Sequence, residues 1–143
     1  MTYFNTFIQV ALDCPVEYGV VPPIGPKGKS LHLIQYELLS AQPYQHTHEE
    51  LLYQTHLRHK GIASAEAELN EEQIRSALFS KKHPCLRASM LPKKYGWGIH
   101  YDVDGKIAIY GKESPEYQHF TGQDGQKQAI QLLYAMRSQR TKS

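Results

Sequence analysis

The sequence has little that would mark a secreted, membrane-bound or disulfide-stabilised protein. Its 143 residues include only two cysteines, Cys14 and Cys85, which cannot form a disulfide framework. No apolar run approaches the roughly 20 residues that span a membrane, and the start, Met1–Asn5, lacks the features of a secretory signal. A chain of this length can bury a core without covalent cross-links. We therefore expect one cytoplasmic domain over residues 1–143.

Acidic residues are missing from one long stretch of the chain. Between Glu72 and Asp102 there is no Asp or Glu, but there are six Lys or Arg residues. Residues 1–72 hold nine acids and four Lys or Arg, a balance of −5, whereas residues 73–143 hold five and twelve, a balance of +7. The two halves either neutralise each other across the fold, which is our preferred reading, or present a basic surface to an anionic partner.

Residue patterns in the first half predict one strand and three helices. Asn5–Leu12 alternates with the two-residue period of a strand. Tyr18–Lys29 contains three prolines and three glycines, which is typical of a loop. Capping residues then indicate three helices, which begin after Ser30 (to about Ala41), after Thr47 (to about Lys60, closed by Gly61) and at Asn70, the last with Ile74, Ala77 and Leu78 facing inward. An Ala/Glu-rich lead-in over residues 64–69 is an alternative start for the third helix.

The second half predicts a β-hairpin over Trp97–Tyr110. A two-residue loop would mix polar and apolar side chains on one face, whereas the loop Val103–Gly105 pairs Tyr101 with Ile107 and Ile99 with Ile109. That register also places Asp102 opposite Lys106 as a cross-strand ion pair. Two further helices are predicted, over Ser114–Phe120 and over Gln126 to about Ser138.

Together these elements predict an α+β fold. The expected architecture is a small antiparallel sheet, made of the N-terminal strand and the hairpin, covered on one face by about four helices.

Four ordered stretches also resemble a known family. They are 5–8 with 13–15, 35–39 with 43–44, 85–89 leading into 94–100, and 136–138. That family consists of small, mostly bacterial proteins classed as a domain of unknown function, and the resemblance implies one complete domain but no catalytic roles.

The segment from Cys85 to His100 is the first candidate for a binding site. Basic side chains that alternate with aromatic rings can hold a small anion or stack on nucleic-acid bases. The candidate ligand-binding residues are Arg87, Ser89, Lys94, Tyr95, Trp97, His100 and Asp102. Trp97 has a competing interpretation as a core residue, because it lies on the apolar face of the hairpin.

Chemistry by acid–base or thiol groups is the second candidate. His100 and Asp102, with Tyr110, share the polar face of the hairpin, and a carboxylate can orient an imidazole. Cys85 lies near basic residues that would favour a thiolate, whereas Cys14 follows Asp13. No catalytic motif surrounds any of these residues, so a solvated strand face and two buried thiols are the preferred interpretations.

The histidines do not follow a metal-binding pattern. His46 and His48 lie two residues apart at a helix start, and His56 and His59 lie three apart within that helix. Neither a His-Glu-x-x-His nor a Cys-x-x-Cys motif is present, and no glycine loop matches a nucleotide-binding pattern. We therefore expect no metal site and no cofactor.

Three hypotheses for function follow. The first is a non-enzymatic module that binds a small anionic ligand or a protein partner. The partner can be a second copy of the chain, in a homodimer formed through Leu51, Leu52 and the Tyr-rich helices. The second is a small hydrolase or transferase using Cys85 or the His100/Asp102 pair. The third is nucleic-acid binding by the basic C-terminal half, with Arg137, Arg140 and Lys142 extending its surface. The first is preferred.

Overall fold

A mixed β-sheet lies at the centre of the molecule. Its strands are β1 (Thr6–Gln9), β2 (Trp97–Tyr101), β3 (Ile107–Gly111) and β4 (Gln131–Tyr134). Across residues 3–125 and 129–139, which this computed structural model describes, the sheet has four strands in the order β3-β2-β1-β4. β1 and β3 run antiparallel to β2, and β4 runs parallel to β1. The predicted α+β class is confirmed.

The hairpin has the predicted register. Tyr101 pairs with Ile107 and Ile99 pairs with Ile109, and Gly105 adopts the left-handed conformation at φ 80°. The expected ion pair with Lys106 is wrong. The Asp102 carboxylate instead accepts hydrogen bonds from the backbone amides of Asp104 and Lys106, both at 2.9 Å, because these amides have no partner within the tight turn.

The predicted C-terminal helix is wrong where the structure describes it. Gln131–Tyr134 forms β4, while residues 126–128 of the prediction lie outside the described residues. β4 satisfies the second edge of β1: the amides of Gln131 and Ala135 donate to the carbonyls of Asn5 and Gln9 at 3.1 and 2.8 Å. Helical spacing of apolar residues was misleading here, because pairing with a distant strand outweighs local periodicity.

Within the described residues the chain forms five α-helices. They are α1 (Leu31–Ala41), α2 (His48–Lys60), α3 (Ser64–Phe79), α4 (Met90–Lys94) and α5 (Pro115–Phe120). The predicted caps of the first two are confirmed. The hydroxyls of Ser30 and Thr47 accept from the amides of Leu33 and Glu50, each at 3.3 Å, and Gly61 ends α2 at φ 67°. None of the described helices is long and apolar enough to cross a membrane.

α3 differs from its prediction. It begins at Ser64, which confirms the extension over residues 64–69, and Asn70 marks a kink at φ −122°, ψ 21° rather than the start of the helix. The Asn70 side chain donates to the Glu66 carbonyl at 3.2 Å, which competes with the backbone ladder. Ala77, expected to face inward, is exposed, and Ile74 and Leu78 are only half-buried. α3 therefore packs loosely on α2.

Helices cover both faces of the sheet, not one as expected. On the first face, α1 and α4 enclose a core that includes Ile8, Ile99 and Tyr101. On the second face, α5 places Tyr117 against Phe7 with ring centroids 5.0 Å apart. The sheet therefore separates two apolar clusters, and β1, β2 and β3 are largely buried, whereas β4 is mostly exposed.

Gly98→Ala tests the close contact between β2 and α5. A Cβ at Gly98 would lie 2.5 Å from Cζ of Phe7 and 2.6 Å from Cε2 of Tyr117, and both rings are buried. Because neither ring can move aside, we expect a loss of about 1–3 kcal/mol in the free energy of unfolding, measured by urea denaturation. The matched control is Gly25→Ala, where the nearest atom lies at 3.7 Å. Equal stability of the two variants would contradict this packing.

Candidate functional site

The basic part of the predicted binding segment makes internal contacts. Nε of Arg87 donates to the Tyr134 carbonyl at the end of β4, at 2.8 Å. The Ser89 hydroxyl caps α4 by accepting from the Leu91 amide at 3.2 Å. Lys94 is exposed at the end of α4. These three residues therefore point to different surroundings.

The aromatic part of that segment also packs internally. Tyr95 stacks on His32 with ring centroids 5.3 Å apart. Trp97 packs on the core, as its register predicts, and its Nε1 donates to the Val20 carbonyl at 2.8 Å. A ligand-binding role for the segment stays a prediction.

His100 takes part in a chain of hydrogen bonds that includes a residue missed in the sequence. Its Nδ1 lies 2.8 Å from the hydroxyl of Tyr44, which in turn lies 2.7 Å from the hydroxyl of Tyr110. Phe120 stacks on the imidazole at 4.2 Å. Burial lowers the pKa of His100, an effect that the Asp102 carboxylate opposes. Burial and the Tyr110 hydroxyl raise the pKa of Tyr44 far above its ordinary value.

This chain of three side chains fixes the connection between α1 and α2 on the sheet, and its imidazole is neutral near pH 7 because burial lowers the pKa of His100. Tyr44 has the left-handed backbone conformation, φ 59°, which is costly for a bulky residue. Its amide also donates to the Ile107 carbonyl at 2.8 Å. Asp102 orients its own turn rather than the imidazole. The geometry therefore supports a structural role for these three side chains in preference to a role in proton relay.

The cysteines have no histidine hydrogen-bonded to either thiol among the described residues. Both thiols are free. Sγ of Cys85 accepts a long hydrogen bond from the Tyr3 hydroxyl at 3.8 Å, and Cys14 packs against the cluster of Phe7 and Tyr117. A nucleophilic role for Cys85 stays a prediction without a base beside it.

A cavity of about 260 Å³ lies where α1, α2 and α3 meet, and we name it the three-helix pocket. Its lining is Leu31, Gln35, Leu52, Thr55, His56, His59, Lys60, Leu78 and His83. The residues from α2 recur at helical spacing and share one face of that helix. Along α2 the lining changes from apolar Leu52, through Thr55 and His56, to basic Lys60.

Thr55 carries a buried hydroxyl that has no hydrogen-bond partner. The residue is 3% exposed, and its Oγ1 contacts no donor or acceptor within hydrogen-bond distance. A threonine inside a helix often bonds the carbonyl four residues earlier, and Thr55 does not. An unsatisfied buried polar group costs about 1–3 kcal/mol. Thr55 therefore lines the pocket, and its almost fully buried hydroxyl has no hydrogen-bond partner among the described residues.

The electrostatics of the pocket are positive. Burial lowers the pKa of His56, and the nearby charge of Lys60, with weaker contributions from His59, His83 and Lys81, lowers it further. His56 is therefore neutral near pH 7 and can donate or accept a hydrogen bond. No carboxylate belongs to the lining described above. In the described ranges no group of three or more His, Cys, Asp or Glu is arranged to hold a metal ion.

Sequence reasoning did not identify Thr55 or Gln35 as site residues. The amphipathic pattern of Leu52, Thr55, His56 and His59 was available as a signal, since it marks one face of α2. The remaining basic candidates are dispersed: Arg137 is exposed after β4, and Arg140 and Lys142 lie outside the described residues. Nucleic-acid binding by that half stays a prediction.

The molecule is thus a small α+β protein with an apolar, electropositive pocket between three helices. Over residues 1–141 the chain matches the family of unknown function DUF6157, and it belongs to that family. This confirms the resemblance seen in the sequence. No curated protein and no solved structure is significantly similar to the chain.

Burial of His100 predicts how stability depends on pH. Its folded pKa lies below the unfolded value of about 6.5, so the unfolded chain takes up the proton first as the pH falls. The stability that the buried neutral imidazole contributes is therefore complete above about pH 6.5, and it is lost as the pH falls below that value. We expect His100→Asn to lose less stability than wild type between about pH 8 and about pH 5.5 in urea denaturation.

In the His100→Asn variant the free energy of unfolding will still depend on pH, because burial also lowers the pKa of His32, His46 and His56. An equal pH dependence of the free energy of unfolding in His100→Asn and in wild type would contradict burial of a neutral imidazole at this position.

Proposed function

We propose that this protein is a non-enzymatic module that binds a small organic anion in the three-helix pocket. The observation that supports this most directly is the buried Thr55 hydroxyl without a partner, at a cavity that is otherwise largely apolar. Binding sites for small molecules combine apolar walls with a few polar groups that fix orientation. A ligand atom that bonds Thr55 would remove the cost of the orphaned hydroxyl.

The lining favours a ligand with an apolar body. Leu31, Leu52 and Leu78 come from three different helices and supply apolar side chains to the wall. A volume of about 260 Å³ is close to the lower end of the range for small-molecule sites. The body of the ligand is therefore small, of the size of a short alkyl chain or one ring.

The polar end of the pocket favours a negative charge on the ligand. Thr55 and neutral His56 can donate hydrogen bonds, and Lys60 supplies a positive charge. Hydrogen bonds to a charged acceptor are stronger than those between neutral groups. The anionic head would lie between Thr55 and the end of α2, and the apolar body would lie against Leu52.

An enzyme that uses the His100 chain is the second candidate. Its support is the hydrogen-bonded series Tyr110, Tyr44 and His100, in which Tyr110 also lines a groove of about 360 Å³ beside α5. A hydrolase or transferase would require a nucleophile next to the imidazole. Among the described residues, the groups bonded to His100 are limited to Tyr44, whose high pKa makes it a poor nucleophile. Binding is therefore preferred.

The proposal treats residues 1–143 as one domain that acts in the cytoplasm. Its free thiols, Cys14 and Cys85, fit a reducing compartment. A protein partner or a second copy of the chain is an alternative occupant of the exposed surfaces, and it would not satisfy a hydroxyl buried as deeply as that of Thr55.

Thr55→Val tests the pocket with octanoate as the probe anion. Valine keeps the shape of threonine but removes the hydroxyl. We expect octanoate to bind the variant about tenfold more weakly, since one hydrogen bond to a charged group is lost, as measured by isothermal titration calorimetry. The ligand-free variant should be at least as stable as wild type, because an unsatisfied buried group has been removed.

Tyr53→Phe is the matched control. Tyr53 is another residue of α2 whose buried hydroxyl has no partner, but it does not line the pocket. Its loss should therefore leave octanoate affinity unchanged. Equal affinity of wild type and Thr55→Val, or failure of wild type to bind octanoate at all, would reject the proposed function.

A further inference from the structure

A second cavity adjoins the three-helix pocket at the end of α2. It has a volume of about 400 Å³ and is lined by Lys27, Lys29, Ile34, Glu37, Arg58 and His59. His59 also lines the three-helix pocket, so the two cavities share this side chain as a wall residue. We name the cations around this junction, Lys27, Lys29, Arg58 and Lys60, the basic collar.

The basic collar has more positive charge than its acidic neighbours neutralise. Both carboxylate oxygens of Glu37, the one acid in these two linings, bond Nζ of Lys29, at 3.1 and 2.9 Å. Within residues 3–125 and 129–139, no ion pair involves Lys27, Arg58 or Lys60. Three unpaired cations therefore surround the junction.

The helix dipole explains only part of this arrangement. Arg58 and Lys60 belong to the last turn of α2, where basic residues are favourable for any helix. Lys27 belongs to the Pro/Gly-rich loop, so the helix dipole does not account for its position. Gly25 and Gly28 exchange two backbone hydrogen bonds, at 3.1 and 3.0 Å, and so form a tight turn that presents Lys27 at its tip. The loop is therefore built to bring a cation to this groove.

We infer that the anion bound by the pocket is an organic phosphate monoester, with its apolar group in the three-helix pocket and its phosphate against the basic collar. This inference rests on the proposed function. A single carboxylate would be neutralised by Lys60 alone, whereas a phosphate monoester carries nearly two negative charges above its second pKa of about 6. Arg58 provides the planar fork of donors that suits phosphate oxygens, and Lys27 a mobile point charge.

Two probes with the same tail and different charge test the inference. At about pH 8, octyl phosphate is a dianion and octyl sulfate a monoanion. By calorimetry on the full chain we expect octyl phosphate to bind about tenfold more tightly than octyl sulfate. In the double variant Lys27→Gln, Arg58→Gln this ratio should fall to nearly one. Both side chains are exposed, so the variant should fold, which its thermal unfolding would verify.

Lys106→Gln is the matched control, because it removes an exposed cation from the β2–β3 turn, at the opposite end of α2. It should leave the ratio unchanged. Equal binding of the two probes by wild type would overturn the inference and leave the proposed function standing. A ratio that survives in the double variant would also overturn it. If neither probe binds, both the inference and the proposed function are rejected.

The source of the phosphate is tested separately with vesicles of phosphatidylcholine, with and without phosphatidic acid. The small volume of the pocket favours a soluble phosphate, so we expect no binding that depends on phosphatidic acid. Binding to the phosphatidic acid vesicles that exceeds binding of octyl phosphate would overturn a soluble ligand in favour of a lipid headgroup.

Discussion

The pairing of β1 on both of its edges is the interaction on which the rest of the structure depends. β1 has only four residues, of which Thr6, Phe7 and Ile8 are fully buried. One edge bonds β2 and the other bonds β4, so every chain segment that joins the sheet is placed relative to β1. Ile8 faces the core under α1, whereas Phe7 faces α5. Without this strand the two apolar clusters would have no common wall.

The pocket depends on the sheet through the connection between α1 and α2. The carbonyl and the amide of Ile107 on β3 bond the amide of Tyr44 and the carbonyl of His46, at 2.8 and 3.0 Å. The Tyr44 side chain adds a second attachment through His100. These bonds fix the start of α2, and its length then carries Thr55 and His59 to the other end of the helix pair. A strained loop residue thus contributes to a site far from itself.

Local features of the fold could be predicted from the sequence, and pairings between distant segments could not. The caps at Ser30 and Thr47 and the hairpin register depend on neighbours a few residues away. β4 was missed because its partner lies more than a hundred residues earlier in the chain, and helical spacing was the stronger local signal. The candidate site likewise depends on contacts between distant segments. Nothing local shows that Thr55 lacks a partner, or that a loop lysine lines the same cavity as Arg58 of α2.

We propose that a ligand binds in the three-helix pocket rather than at the segment from Cys85 to His100. The most direct measurement is a titration of ¹⁵N-labelled protein with octanoate, followed by amide chemical shifts. With octanoate in the three-helix pocket, we expect the largest changes to cluster on α2 from Leu52 to Lys60, with smaller changes at Gln35 and Leu78. Changes confined to the segment from Arg87 to Trp97, with α2 unaffected, would contradict it.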